Sequence, residues 1–221
     1  AKLARKGCEV SVLEQSDKFG EIGAGIQIGP NAFHALDCLG AGDAARAKAV
    51  YIDRLIMMDG TTGDEVCHIP VDEPFRERFG NPYAVIHRAD LHGALLDACQ
   101  ASEGIRLITK ARVIEYANNV AGARVRTADG AIYEADAVIG ADGIRSAIRR
   151  QLTGDDAIQL SGHVAYRAVL PIEQMPLDLR WNAATLWAGP KCHMVHYPLQ
   201  GWKTFNLVAT FQTQISNVGA N

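Results

Sequence analysis

Residues 1–15, AKLARKGCEVSVLEQ, run from a short Ala- and Lys-rich helical turn through Gly7 into the apolar stretch Val10-Ser11-Val12-Leu13 and stop on Glu14. Glycine tolerates the left-handed conformation that ends a helix, and a contiguous apolar, β-branched run is the mark of a parallel strand buried on both faces. A carboxylate at the end of such a strand accepts hydrogen bonds from an adenosine ribose in dinucleotide-binding βαβ units. The same Glu14 also reads as a solvated side chain that opens a loop. The first strand and glycine loop of such a unit do not precede residue 1, so the chain is expected to be an internal slice of a longer protein.

The rest of the chain continues this α/β pattern. The Gly-rich stretch GEIGAGIQIGPNA (20–32) reads as a loop, and Pro30 suits the first turn of a helix, where its missing N–H costs nothing. That helix carries Phe33, Leu36 and Leu39 and stops at Gly40. Residues 51–69 alternate like paired strands around Asp59-Gly60-Thr61-Thr62-Gly63, and PYAVIHR reads as a short strand. RADLHGALLDACQ has Leu91, Leu95 and Cys99 on one helical stripe. IRLIT, ARVIEYA, a hairpin turning at Asp129-Gly130 and ADAVIGADG read as strands, and a helix spans 144–152. From about residue 158 the strands HVAYRAVLP, ATLWAG, CHMVHYPL and KTFNLVATF read as a separate, mostly antiparallel layer. The expected division is residues 1–154, with an inserted strand segment near 51–87, and residues 155–221.

Bulk properties exclude some partners. A net charge of −3 offers no basic face for nucleic acid, and no apolar run approaches the ~18 residues of a membrane span. Five dispersed cysteines, without a Cys-x-x-Cys pair, fit reduced, mostly buried thiols in a cytoplasmic protein.

Several residues invite chemistry, each beside a plainer reading. Arg88 opens the helix after IHR, where a cation faces the positive end of the helix dipole; Asp90 or a cofactor phosphate offsets it. Asp142-Gly143 lies between an apolar run and a helix, in a loop able to approach a phosphate, or in an ordinary strand–helix turn. Period-two alternation in CHMVHYPL puts His193, Val195 and Tyr197 on one face and Cys192, Met194 and His196 on the other. That argues against a metal site and sets His193 and Tyr197 on one surface, as a base and a phenol gripping a small ligand or as half-buried sheet residues. Arg167, within an apolar strand, needs a counter-charge or a water-filled site.

Taken together, VLEQ, GEIGAGIQIGPNAFHALDCLG, YAVIHRADL, VIGADGIRS, HVAYRAVLP and LWAGPKCHMVHYPL resemble the single-component FAD-dependent aromatic hydroxylases over residues 1 to about 211. The resemblance implies a Rossmann-like FAD-binding domain and a substrate layer of antiparallel strands. It implies that Glu14 holds the adenosine ribose, Gly25 and Gln27 lie along the flavin, Arg88 reaches the phosphate and ribityl region, and Val113 meets the adenine through its backbone. Asp142 belongs to the Asp-Gly element that serves FAD and the nicotinamide nucleotide. Arg167 and Tyr197 match positions tied to activity, and His193 matches a substrate-side base.

The implied reaction uses NADH or NADPH and O2 to hydroxylate a small phenolic acid, with 3-hydroxybenzoate to gentisate favoured, in a possible homodimer. A second flavin-contacting Gly-Asp segment is expected beyond residue 221, and the tail TQISNVGAN does not look like the family's continuation. These 221 residues alone are therefore expected to bind FAD poorly and not to turn over. Another FAD-dependent oxidase or dehydrogenase on this scaffold, or a non-catalytic fragment, is the alternative.

Overall fold

A computed structural model of the chain describes residues 1–20, 23–120, 122–154 and 158–213. In chain order these form β1 (Val10–Leu13), β2 (Gly25–Ile28), α1 (Pro30–Leu39), α2 (Gly42–Lys48), β3 (Val50–Tyr51), β4 (Arg54–Asp59), β5 (Glu65–Pro70), α3 (Glu73–Phe79), β6 (Ala84–His87) and α4 (Arg88–Gln100). There follow β7 (Ile105–Ile108), β8 (Val113–Asn119), β9 (Gly122–Thr127), β10 (Ile132–Ala135), α5 (Ala147–Thr153), β11 (His163–Pro171), β12 (Ala183–Gly189), β13 (Cys192–Leu199) and β14 (Thr204–Gln212). Packing divides the chain into two compact units, one of Ala1–Lys2, Gly20–Ala101 and Gly162–Asn221, the other of Leu3–Phe19 and Ser102–Ser161.

The larger unit contains two sheets. Six strands run in the order β11-β14-β13-β12-β4-β5, and three in the order β2-β6-β3. All neighbours are antiparallel except β12 and β4, which pair in parallel from Ala183–Arg54 to Ala188–Asp59. Tyr197, Leu199 and Ala184 of the large sheet pack with Val50, Ile52, Val71 and Val85. Behind the small sheet, α1, α2 and α4 enclose Phe33, Leu36, Ala41, Ala45 and Ala94 with Ile28, Ala84 and Ile86. Burying a side chain such as Phe33 or Ile86 contributes about 2–3 kcal/mol. Helix α1 is bounded as its sequence dictates, with Pro30 in the first turn and Gly40 at φ 78°, donating to Asp37 and Leu36 carbonyls.

In the smaller unit, β1 and β7 pair in parallel from Val10–Ile105 to Leu13–Ile108. Strands β8, β9 and β10 form an antiparallel meander, and α5 is fastened to β8 by the Gln151 carboxamide. Its Nε2 donates to the Tyr116 carbonyl at 2.6 Å, and its Oε1 accepts from the Tyr116 N–H at 3.0 Å.

Several expectations are corrected. The Gly-rich stretch 20–32 is not all loop, because Gly25–Ile28 pairs with β6 as a strand; its Glu21 and Ile22 lie outside the described residues, as does the tail from 214. Strand β1 is not buried on both faces: β7 is its one ladder partner among the described residues, and Val12 is exposed. Residues 136–143 form no strand, since the run has no ladder partner among the described residues, and Ile139 is 76% exposed. The later strands are not a separate layer, because β4 and β5 extend the same sheet through the parallel β12–β4 pairing. Helices α2 and α3 were not anticipated; seven residues each are too short for periodicity to declare them. The cysteines, expected to be mostly buried, are not: Cys8, Cys38 and Cys67 are exposed, Cys99 and Cys192 are half-buried, and all five are free thiols. Among the described residues, no helix is long and apolar enough to cross a membrane.

Candidate active site

One face of the six-stranded sheet gathers the three proposed catalytic side chains. Along β13 and β14, Tyr197 stands opposite Asn206, Val195 opposite Val208 and His193 opposite Thr210. Val208 is in turn opposite Arg167 of β11. Side chains alternate faces along each strand, so Tyr197, His193 and Arg167 share one surface, with Arg167 on the rung between the other two. His193 and Tyr197 are not immediate neighbours, however. At ~3.3 Å per residue their Cα atoms lie about 13 Å apart along β13.

Burial divides the three. His193 and Arg167 are exposed, whereas Tyr197 is 4% exposed. Of the two settings expected for Arg167, a counter-charge or a water-filled site, its exposure on the edge strand β11 fits the second. Burial pushes the Tyr197 phenol up to about 12, while the Arg167 guanidinium pulls the other way and the Tyr83 phenol adds a smaller upward push. Tyr197 thus remains a protonated phenol at neutral pH.

Strand β2 lies against this buried end. A Cβ built on Gly25 would sit 2.4 Å from Tyr197 Cε2 and 2.8 Å from its hydroxyl. The Gly25 N–H donates to Asn206 Oδ1 at 2.7 Å. Two residues on, the Gln27 carboxamide accepts from the Tyr83 hydroxyl at 2.8 Å. Arg88 is the first residue of α4 and is exposed; its backbone N–H donates to the Ala24 carbonyl at 2.9 Å. The larger unit therefore brings together Gly25, Gln27, Arg88, Arg167 and Tyr197, with His193 further along the same sheet face.

The opposite face carries a group the sequence weighed only as a metal ligand. His196 is 1% exposed and packs among the rings of Trp181, Trp187 and Phe205. Both ring nitrogens lack a hydrogen-bond partner among the described residues, as does the Oγ1 of Thr185, directly opposite on β12. Burial lowers its pKa to about 4. Among the described residues no cluster of three His, Cys, Asp or Glu side chains suits a metal ion.

Glu14, Val113 and Asp142 belong to the smaller unit. Glu14 directly follows β1: its N–H donates to the Ile108 carbonyl, its own carbonyl accepts from the Ala111 N–H, and its Oε1 accepts from the Ser16 N–H at 2.8 Å. Val113 begins β8 two residues beyond Ala111, so Glu14 and Val113 lie near one end of β1. Asp142 accepts from the Ser146 hydroxyl at 2.5 Å and the Ile148 N–H at 3.3 Å. Burial alone would raise its pKa; the hydroxyl and the surrounding backbone N–H groups together outweigh that and lower it. Ser146 also caps α5, its Oγ accepting from the Arg149 N–H at 2.9 Å. Ser146→Ala is expected to destabilise the smaller unit by about 1 kcal/mol and to move Asp142 upward. Denaturant unfolding and an NMR titration of Asp142 check both effects.

Sequence reasoning did not single out Asn206, Tyr83 or Ser146. Asn206 left a signal, a lone carboxamide inside the apolar strand TFNLVATF; Ser146 left another, an N-cap residue before AIRRQL.

The architecture is that of solved flavoproteins. A single-residue variant of Klebsiella pneumoniae HpxO complexed with FAD matches with a TM-score of 0.82 at 22% identity, over 99% of this chain and 55% of that one. No family model matches the chain. Its sequence is nonetheless similar, over nearly the whole length given, to curated aromatic-acid hydroxylases. Among its relatives is 3-hydroxybenzoate 6-hydroxylase 1 of Aquipseudomonas alcaligenes, 50% identical over 219 residues, 99% of this chain and 54% of that protein. The 3-hydroxybenzoate 6-hydroxylase of Polaromonas naphthalenivorans (strain CJ2) is 48% identical over 212 residues, 96% of this chain and 53% of that protein. The chain thus spans about half the length of the curated relatives it matches.

Proposed function

We propose that this chain is part of a cytoplasmic FAD-dependent monooxygenase that hydroxylates a phenolic aromatic acid, 3-hydroxybenzoate to gentisate, using NADH or NADPH and O2. The observation that carries this reading is the 50% identity to a 3-hydroxybenzoate 6-hydroxylase across 219 residues. In this reading β4 and β5 join the strands of residues 155–221 in the substrate layer, the rest of residues 1–154 contribute chiefly to the cofactor side, and the protein is a homodimer.

The residues present fit a flat cofactor that carries phosphates. Gly23, two residues before β2, and Gly25, its first residue, let the backbone approach the rings of His87 and Tyr197, where a Cβ would collide. Exposed Arg88 offers a cation beside that strand, and Gln27 offers a carboxamide oriented by Tyr83. Glu14 takes the ribose hydroxyls, the Val113 backbone meets the adenine, and Asp142 organises the loop before α5. Bound FAD supplies the redox chemistry that activates oxygen.

This chain's own residues bind and orient the substrate. His193, exposed on the sheet face, takes the phenolic proton as a general base. Deprotonation makes the ring more electron-rich and so more open to attack by an electrophilic oxygen. Tyr197, held protonated by burial, donates a hydrogen bond that fixes the ring, and Arg167 attracts the substrate carboxylate.

The test is direct. The full-length flavoprotein is supplied with NADH and 3-hydroxybenzoate in an oxygen electrode, and the products are separated chromatographically. Gentisate formed in step with NADH oxidation is the expected result. Hydrogen peroxide without an oxygenated product would instead identify an oxidase.

A further inference from the structure

We propose that Asn206 is a positioning residue that sets the spacing between the strand carrying Gly25 and Gln27 and the sheet face carrying Tyr197. The proposal deepens the hydroxylase reading above and rests on it for its catalytic consequence; the tie itself stands on geometry alone.

Strand β2 is an edge of its sheet, next to β6. The Arg88 N–H donates to the Ala24 carbonyl. Hydrogen-bonded and non-hydrogen-bonded pairs alternate along an antiparallel ladder, so the next residue's N–H points away from β6. The outward N–H of Gly25 is taken up by Asn206 Oδ1 at 2.7 Å, from a side chain 181 residues away. Asn206 therefore stands where a neighbouring strand would supply a carbonyl.

Asn206 is directly opposite Tyr197 in the β13–β14 ladder, and Gly25 lies against the edge of the Tyr197 ring. One hydrogen bond thus fixes how closely β2 approaches the phenol. Gln27, two residues along the same strand face, moves with it.

Filling space does not require a carboxamide here. Asn206 is fully buried, and its Nδ2 lacks a partner among the described residues. An orphaned buried donor carries a desolvation cost that an isosteric leucine would avoid. What leucine cannot supply is the acceptor for Gly25. Loss of that acceptor leaves the Gly25 N–H buried without a partner and lets β2 relax away from Tyr197. A misplaced reacting pair loses rate steeply with distance. Electrons drawn from NADH then leave as hydrogen peroxide, O2 accepting two electrons and two protons, and less of the ring is hydroxylated.

The experiment compares Asn206→Leu, which lacks the acceptor, with Asn206→Asp, which keeps it in the same shape, in the full flavoprotein. Hydrogen exchange is read on the peptide covering residues 23–28, together with FAD content and gentisate formed per NADH oxidised. In Asn206→Leu that peptide is expected to exchange about tenfold faster. Its product yield per NADH is expected to fall about threefold, with FAD content and NADH oxidation largely kept. Asn206→Asp is expected to restore both.

Unchanged exchange and yield in Asn206→Leu, or an equal loss in Asn206→Asp, overturns the proposal. Should Asn206→Leu fail to fold, exchange in Asn206→Asp decides: wild-type protection of residues 23–28 supports the tie, and faster exchange overturns it. A wild-type protein that hydroxylates no phenolic acid sinks the functional reading, while the exchange measurement still judges the tie.

Discussion

Gly25→Ala is expected to destabilise the larger unit by about 2–3 kcal/mol, the cost of overpacking a filled site, and to weaken flavin binding with it. The added methyl would lie 2.4 Å from Tyr197 Cε2, 2.8 Å from the hydroxyl and 2.9 Å from Cζ. Those atoms cannot swing aside cheaply, since the ring is 4% exposed and packed with Leu199, Val85 and Ile52. Either β2 retreats, stretching the Gly25–Asn206 bond, or the ring tilts and the phenol loses its place on the sheet face. The collision predicts its own relief: in a Tyr197→Ala background, Gly25→Ala should cost less than 1 kcal/mol, because the clashing atoms are gone. Urea unfolding of the two single variants and the double variant closes the cycle. An equal penalty in both backgrounds would show that the glycine serves something other than the approach to Tyr197.

That pair marks the line between what the chain declares locally and what it does not. Pro30, Gly40 and the alternation in CHMVHYPL could be read directly, because caps and strand faces depend on a few adjacent residues. The shared face of His193 and Tyr197 followed from period two alone. For Arg167 the choice between a counter-charge and a water-filled site stayed open, because the environment of a strand residue depends on its neighbours, and β11 lies at an edge that no local pattern announces. The run ADAVIG was misjudged for a related reason: apolar character permits a strand, but a ladder partner makes one. Asn206 and Gly25 are separated by 181 residues, and only the register of β13 with β14 turns a stray asparagine into part of the site.

His196 shows how a buried histidine ties stability to pH, and its effect should be as large as that of Gly25→Ala. Its folded pKa of about 4 lies below the ordinary 6.5 because burial disfavours the imidazolium. Trp181, Trp187, Phe205 and Thr185 around it offer no compensating charge. The stability that depends on neutral His196 is complete above pH 6.5. As pH falls, the unfolded chain takes up the proton first, and this stability drains away until the folded pKa near 4 is reached. At about 1.4 kcal/mol per pKa unit, the loss across that window is about 3 kcal/mol. Asp37, Asp59, Asp129 and Asp142 all have pKa values lowered from 3.8, so their contributions fade at lower pH, outside the histidine window. His196→Leu should therefore flatten the unfolding free energy between pH 6.5 and 4 while leaving the steeper acid limb below 4 intact. Denaturant unfolding at half-unit pH steps separates the two; a variant that kept the wild-type slope above pH 4 would place the titrating group elsewhere.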